Sequence, residues 1–234
     1  LSDAGIHIDA VCNGAGTCKK CKVLVDGNVE LACQTVIDRN MEIALFDEGH
    51  EEILTTGISC EIEPDKTDRY AIAYDIGTTT VVLYVYDLQS GKLLAKGSSG
   101  NGQIRYGADV INRIIESSRP GGKKKLQDAI VKETLTPIIA NLCKSANISA
   151  RSILRLSIGA NTTMNHLLVG VDADPVRMDP YIPSFFAWEG LTAQDLKLPA
   201  NPLAPIVIAP NIGSYVGGDI TAGTLATMMW DRDE

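Results

Sequence analysis

The sequence predicts two modules of different class: a small α+β module that holds a metal group, then a larger α/β module that holds a phosphorylated ligand. Three observations predict this. Four of the six cysteines lie within the first 33 residues, around a glycine-rich loop. From Tyr70 onward, β-rich runs exchange with apolar residues at helical spacing. Two glycine turns, at Gly77 and at Gly217–Gly218, each stand beside an aspartate.

Composition sets the bounds. At 234 residues the chain has room for two domains, and 45% hydrophobic with 21% charged residues suffices for a sizeable core. A net charge of −8 argues against nucleic acid as a partner, because phosphate backbones select basic faces. The one basic run, Lys123–Lys125, reads as the solvated start of a helix. No stretch approaches the ~18 apolar residues of a membrane span, and Leu1 onward carries no signal-peptide pattern. The expectation is a cytoplasmic chain with no membrane contact, whose cysteines serve metal binding or burial rather than disulfides.

In the first module Leu1–Ala10 reads as the end of a helix and a short strand. Cys12, Cys18 and Cys21 then form a C-x5-C-x2-C run. Gly14 and Gly16 let that loop curl so that amides point at sulfur. A strand (Lys22–Val25), a turn (Asp26–Asn28) and a returning strand (Val29–Cys33) bring in the fourth cysteine. Four thiolates suit iron or zinc. Zinc sites usually pair two C-x2-C knuckles, so three cysteines on one glycine loop favour an iron–sulfur cluster and leave zinc as the alternative. Val36–Leu45 reads as the module's last strand, and the acidic residues 46–68, with Gly57 and Pro64, as a linker. Cys60 in that linker has no partner spacing.

The second module opens with Tyr70–Ile76 and Val81–Asp87, two β-rich runs around Gly77-Thr78-Thr79-Thr80, which read as a hairpin. The turn's amides and hydroxyls make a nest of donors suited to phosphate oxygens, and Asp75 at its lip can hold hydrated magnesium. No Walker loop occurs. A plain threonine-rich hairpin turn is the alternative. Leu93–Ser98 reads as a strand and Ala108–Ser117 as an amphipathic helix with Val110, Ile111, Ile114 and Ile115 inward. A longer helix covers Lys124–Ala146, with Cys143 on its buried side. Ile153–Ile158 is a strand that ends in Gly159–Thr163 and a short helix through Leu168. His166 on that helix lacks a carboxylate or cysteine at ligand spacing and reads as a packing or capping residue. Asp174–Leu203, rich in proline and aromatic residues, reads as an ordered excursion. Pro205–Ala209 is a further core strand leading to Gly217, Gly218 and Asp219 and a helix over Ile220–Met229. Asp219 alone is a common helix cap. Paired with the Asp75 turn, the same residues read as the second jaw of a phosphate clamp.

Together the strings CNGAGTCKKC, LACQT, YDIGTTTV, NGQIRYGADVINRI, SIGANTTMNHLL and SYVGGDITAG resemble the reductive activators of corrinoid proteins that join an N-terminal ferredoxin to an ASKHA-type fold. They span nearly the whole chain and are far more specific jointly than singly. The resemblance implies a ferredoxin-like (β-grasp) domain over residues 1–45 with a 2Fe-2S cluster on Cys12, Cys18, Cys21 and Cys33. It implies a linker over 46–68 and the first half of an actin/sugar-kinase/heat-shock-chaperone (RNase H-like) domain over 69–234. It implies ATP and Mg2+, with Asp75, Gly77, Thr78 and Thr79 as one phosphate motif and Gly217, Gly218 and Asp219 as the other, Asp75 and Asp219 being the catalytic carboxylates. The implied activity is ATP-driven reduction of an inactive cobalt(II) corrinoid protein to cobalt(I), fed by an unspecified upstream donor. A homodimer is one assembly open to such a chain.

Three departures from that pattern carry expectations of their own. Only 11 residues separate Cys21 from Cys33, the linker has no intermediate domain, and the chain stops at Glu234. They predict a loop absent within the first module and a fold incomplete at both ends, its adenosine half missing. Two other functions fit parts of the pattern: a small-molecule kinase of the same fold with a fused metal module, and a non-enzymatic electron-transfer or zinc adaptor. A kinase would need a general base, for which Asp219 is the only candidate.

Overall fold

The computed structural model describes residues 16, 21–45 and 69–231, and the chain divides into two units, Leu1–Thr55 and Thr56–Glu234. In the first unit β1 (Lys22–Val25), β2 (Asn28–Leu31) and β3 (Ile43–Leu45) form an antiparallel sheet in the order β2-β1-β3. Asp26 and Gly27 take φ of 48° and 84°, the two positive values a two-residue I′ hairpin needs. Val23 and Val25 bury one face of β1. The expected strand over Val36–Leu45 shrinks to three residues. Val36 and Ile37 are each 76% exposed, so no packing holds that segment in a sheet. The linker and Cys60 lie outside the described residues.

The second unit is built on a mixed five-stranded sheet. Its strands are β4 (Tyr70–Ile76), β5 (Thr80–Asp87), β6 (Lys92–Gly100), β7 (Ile153–Ala160) and β8 (Ile206–Ile208), in the order β6-β5-β4-β7-β8. The first three form an antiparallel meander, whereas β7 and β8 join parallel. Register lines up one apolar face. Val85, Ile72, Leu156 and Ile206 make one row, and Leu83, Tyr74, Ile158 and Ile208 the next. All of these are buried. The helices α1 (Val110–Ser117), α2 (Gly122–Ile130), α3 (Thr136–Ala146) and α4 (Thr162–Val169) supply Ile114, Leu126, Ile130, Ile139, Leu142, Met164 and Leu167 to the same core. Burying each such side chain contributes about 1.5–3 kcal/mol.

Two helices differ from expectation. In α1 the inward residues are Arg113, Ile114 and Ser117, while Ile111 and Ile115 are 37% and 40% exposed. The helix is turned so that a guanidinium enters the interior beside Ile114, while Ile111 and Ile115 stay at the surface. The expected single helix over Lys124–Ala146 is interrupted by a π turn at Val131–Leu135. Pro137 is the cause: it has no N–H for the carbonyl four residues back and its ring crowds that carbonyl. The widened turn also frees the Thr134 hydroxyl, which donates to Ala129 O at 2.8 Å and accepts from Gly102 N at 3.0 Å.

A short helix, α5 (Asp174–Arg177), opens the proline-rich excursion, whose Leu191, Ala193, Leu196 and Leu198 are buried. After β8 the chain enters α6 (Gly218–Ala226) and a 3-10 turn at Met229–Asp231. α6 begins two residues earlier than expected, with Gly217 as its N-cap. Among the described residues no helix is long and apolar enough to cross a membrane.

Candidate functional site

Asp75 and Gly159 are register partners on β4 and β7, so their side-chain positions point from the same face of the sheet. That face is opposite the helix-packed row of Tyr74 and Ile158. α6 lies over it: a methyl on Gly159 would stand 3.7 Å from the Ala222 Cβ and 3.9 Å from Gly218 O. The first turn of α6 thereby brings Asp219 to Asp75. Burial raises the Asp75 carboxyl above its ordinary range, and the charge of Asp219 raises it further. Two carboxylates that repel each other are a ready seat for a divalent cation. Asp219 does not cap α6; its Oδ1 accepts from the next amide, Ile220 N, at 2.9 Å.

The Gly77–Thr80 turn closes with Gly77 N donating to Thr80 O at 2.9 Å. A Cβ at Gly77 would stand 2.6 Å from that oxygen, so only glycine permits the turn. The turn's other carbonyls are also engaged. Asn101 Nδ2 donates to Gly77 O at 2.9 Å and Asn101 N to Thr79 O at 2.8 Å. Arg113 Nη2 donates to Thr78 O at 2.6 Å. The amides of Thr78 and Thr79, by contrast, have no acceptor among the described residues.

Arg113 is completely buried. Its Nε donates to Gly107 O at 2.8 Å and its Nη1 contacts Met164 Sδ at 3.4 Å. Among the described residues no carboxylate forms an ion pair with it, and the Asp109 carboxylate is engaged by Asn112 as the cap of α1. Burial lowers the guanidinium to about 10, against a smaller upward pull from Asp109. It remains charged at neutral pH.

Asn161 joins the two glycine turns. Its Oδ1 caps α4 by accepting from Met164 N at 2.9 Å, and its Nδ2 donates to Thr78 Oγ1 at 3.1 Å. Gly217 packs so closely on Asn161 and Thr162 that any side chain there would overlap Thr162 N, and Gly218 is equally close to Ala209 O. The amides of Gly218 and Asp219 also have no acceptor among the described residues. The expected residues Asp75, Gly77, Thr78, Thr79, Gly217, Gly218 and Asp219 thus converge. Asn101, Arg113 and Asn161 are the members that reading the sequence left out. An asparagine directly after a strand and before a helix was the available signal for Asn161.

In the first unit Cys21 is buried just before β1 and its thiol is a neighbour of the Cys33 thiol. The Cys33 amide pulls the Cys21 thiol down, but the Cys33 thiol and burial outweigh it, and the net direction is up. Gln34 Nε2 donates to Cys33 Sγ at 3.6 Å. Two adjacent thiols that receive N–H donors fit a thiolate-bound metal or cluster. Cys12 and Cys18 lie outside the described residues, and among the described residues no three ligand-type side chains stand together.

His166 is a packing residue. Its Nε2 accepts from Ser184 N at 3.1 Å, which puts the proton on Nδ1 to meet Thr162 O at 2.7 Å. Its ring stacks on Phe185 with centroids 4.5 Å apart. Cys143 is buried on α3, as expected of a small core residue.

Known proteins resemble this chain in sequence and fold. The family described as RACo middle region matches residues 70–232. The "Corrinoid activation enzyme RamQ" of Eubacterium limosum is 29% identical over 298 residues, covering 93% of this chain and 50% of RamQ. Among solved structures, a "Reductive activator for corrinoid,iron-sulfur protein" superposes with a TM-score of 0.69 at 39% identity, covering 71% of this chain and 27% of that chain. The chain spans about half the length of the curated relative it matches.

Proposed function

Because the chain belongs to the RACo middle-region family, we propose that it works in an ATP-dependent reductive activator that passes electrons from a 2Fe-2S cluster to a cobalt(II) corrinoid protein, regenerating cobalt(I) for methyl transfer. One observation carries the nucleotide half of this reading: two glycine turns distant in sequence meet with their aspartates on one face of the sheet. The order β6-β5-β4-β7-β8, an antiparallel meander continued by two parallel strands, supports an ASKHA-type fold for this unit. The names of RamQ and of the structural relative point to the corrinoid partner.

In this reading Asp75 and Asp219 hold hydrated Mg2+, and the amides of Thr78, Thr79, Gly218 and Asp219 receive phosphate oxygens. Thr78 Oγ1 already accepts from Asn161, so its own hydrogen is available to the ligand. Cys21 and Cys33, with Cys12 and Cys18, hold the cluster, which supplies one-electron transfer near roughly −400 mV if it is of plant type. Raising one electron by about 100 mV costs about 2.3 kcal/mol. That lies within the coupling of about 1–3 kcal/mol that a ligand-driven conformational change delivers.

The test uses the full-length protein with a cobalt(II) corrinoid protein, reduction being followed optically with and without ATP. Asp219→Ala should leave the cluster reducible by a chemical donor and abolish the ATP stimulation. Cys33→Ala should retain nucleotide binding and pass no electrons. A colourless protein with stoichiometric zinc, or reduction indifferent to ATP, overturns the proposal.

A further inference from the structure

Arg113 is the one fully buried charged side chain among the described residues. A cation in the interior is usually matched by a carboxylate. Here the partners are two carbonyls and a thioether, all uncharged. A loop tie of this kind needs hydrogen bonds, which a neutral amide supplies without the desolvation of a charge. The location supplies what the tie does not. Nη2 meets the carbonyl of Thr78, at the centre of the turn whose Thr78 and Thr79 amides are without acceptors among the described residues. Asn101 holds the carbonyls on either side, and Gly77 N holds that of Thr80.

All four carbonyls of residues 77–80 are therefore committed to donors inside the protein. We propose that Arg113 and Asn101 are positioning residues for the turn: they anchor its carbonyls inward so that the Thr78 and Thr79 amides stay free for an anionic phosphoryl group, and the unneutralised guanidinium behind the turn strengthens that preference. The inference rests on the reading of this turn as a nucleotide site. It adds a requirement for a buried charge that never touches the ligand. Lysine cannot substitute fully, since one ammonium does not reach Gly107 O, Met164 Sδ and Thr78 O in a planar fork.

The experiment titrates Mg-ATP into full-length protein, wild type beside Asp219→Ala, Arg113→Met, Arg113→Lys, Arg113→Ala and Asn101→Asp, with thermal unfolding of each without ligand. Arg113→Met should raise Kd about tenfold or more, as expected for losing a charge-assisted hydrogen bond, with Arg113→Lys in between. Guanidinium at millimolar concentration should restore tighter binding to Arg113→Ala, whereas neutral formamide should not. A purely structural arginine would show equal rescue by both, and that result overturns the inference. So does a folded Arg113→Met that binds like wild type while Asp219→Ala does not. If the Arg113 variants fail to fold, Asn101→Asp decides: it keeps a side-chain oxygen for Gln103 N, loses the Nδ2 donor that Gly77 O and Met164 Sδ accept, and puts a negative charge behind the turn, and unchanged affinity there also overturns it. Absent binding by the wild type defeats the nucleotide reading itself, which separates the two failures.

Discussion

Asn161 Nδ2 donates to Thr78 Oγ1 at 3.1 Å, across 83 residues of sequence, while the Oδ1 of the same side chain caps α4. One amide thereby ties a helix start to the turn after β4. The two jobs are separable. Asn161→Asp keeps an acceptor for Met164 N and loses the donor to Thr78, so stability should hold while Mg-nucleotide affinity falls several-fold. Asn161→Ala loses both, and should also cost about 1 kcal/mol of stability. Urea midpoints and nucleotide titrations check this pair; equal stability loss in both variants would contradict it.

The hairpin, the strands at Ile153–Ile158 and Pro205–Ala209 and the two glycine–aspartate turns were legible because alternation, β-branching and glycine placement are local signals, whereas the parallel pairing of those strands was not. Arg113 was not. Its position between Ile111 and Ile115 reads as an exposed face of an amphipathic helix, and only carbonyls contributed by distant loops draw it inward. The π turn had a local sign in Pro137, but its consequence, a Thr134 hydroxyl shared with Gly102, depends on a loop that packs beside it. For Asp219 a helix cap was the alternative to a place beside Asp75; the glycine pair starts the helix earlier, with Gly217 as its cap, and leaves that carboxylate near Asp75. The short β3 shows the reverse error, since Val36 and Ile37 are β-formers that find no face to cover.

Repulsion between Asp75 and Asp219 gives a second expectation. The folded-state pKa of Asp75 is raised, by burial first and by Asp219 next. Its contribution to stability is therefore full below the ordinary carboxylate range near pH 4 and is lost as pH rises through the raised value. At neutral pH, without metal, Asp219→Asn should raise Tm by about 1–3 °C for a domain of this size. Mg2+ should stabilise the wild type more than the variant. A Tm lowered by the substitution in metal-free buffer would show that the two carboxylates do not oppose each other.

His166 titrates with the opposite sense. Burial lowers its pKa below 6.5, against weaker upward pulls from Thr162 O and Asp172. Below pH ~6.5 the unfolded chain takes up a proton that the folded one refuses, so stability falls as pH drops from 7 to 5. Protonation also removes the acceptor that Ser184 N uses. His166→Gln should cost about 1–3 kcal/mol at pH 7 and flatten the slope between pH 7 and 5. Urea unfolding at several pH values measures both; an unchanged slope would exclude His166 as its source.

The sheet order also dictates when the site comes into being during folding. Turn 77–80 joins neighbours in sequence, and β6 adds to the meander locally. The β4–β7 pairing and the Thr78–Asn161 bond close a separation of 83 residues. Each doubling of loop length adds about 0.6 kcal/mol of closure entropy, so the step from a four-residue turn to that span adds roughly 2.5 kcal/mol. A ribosome-bound chain released only through β6 holds the Gly77 N to Thr80 O bond of the turn but lacks Asn101 and Arg113, which engage its other three carbonyls. Asn161 and Gly217 have not yet been synthesised either, so in the proposed nucleotide reading binding has to await the residues that follow β6.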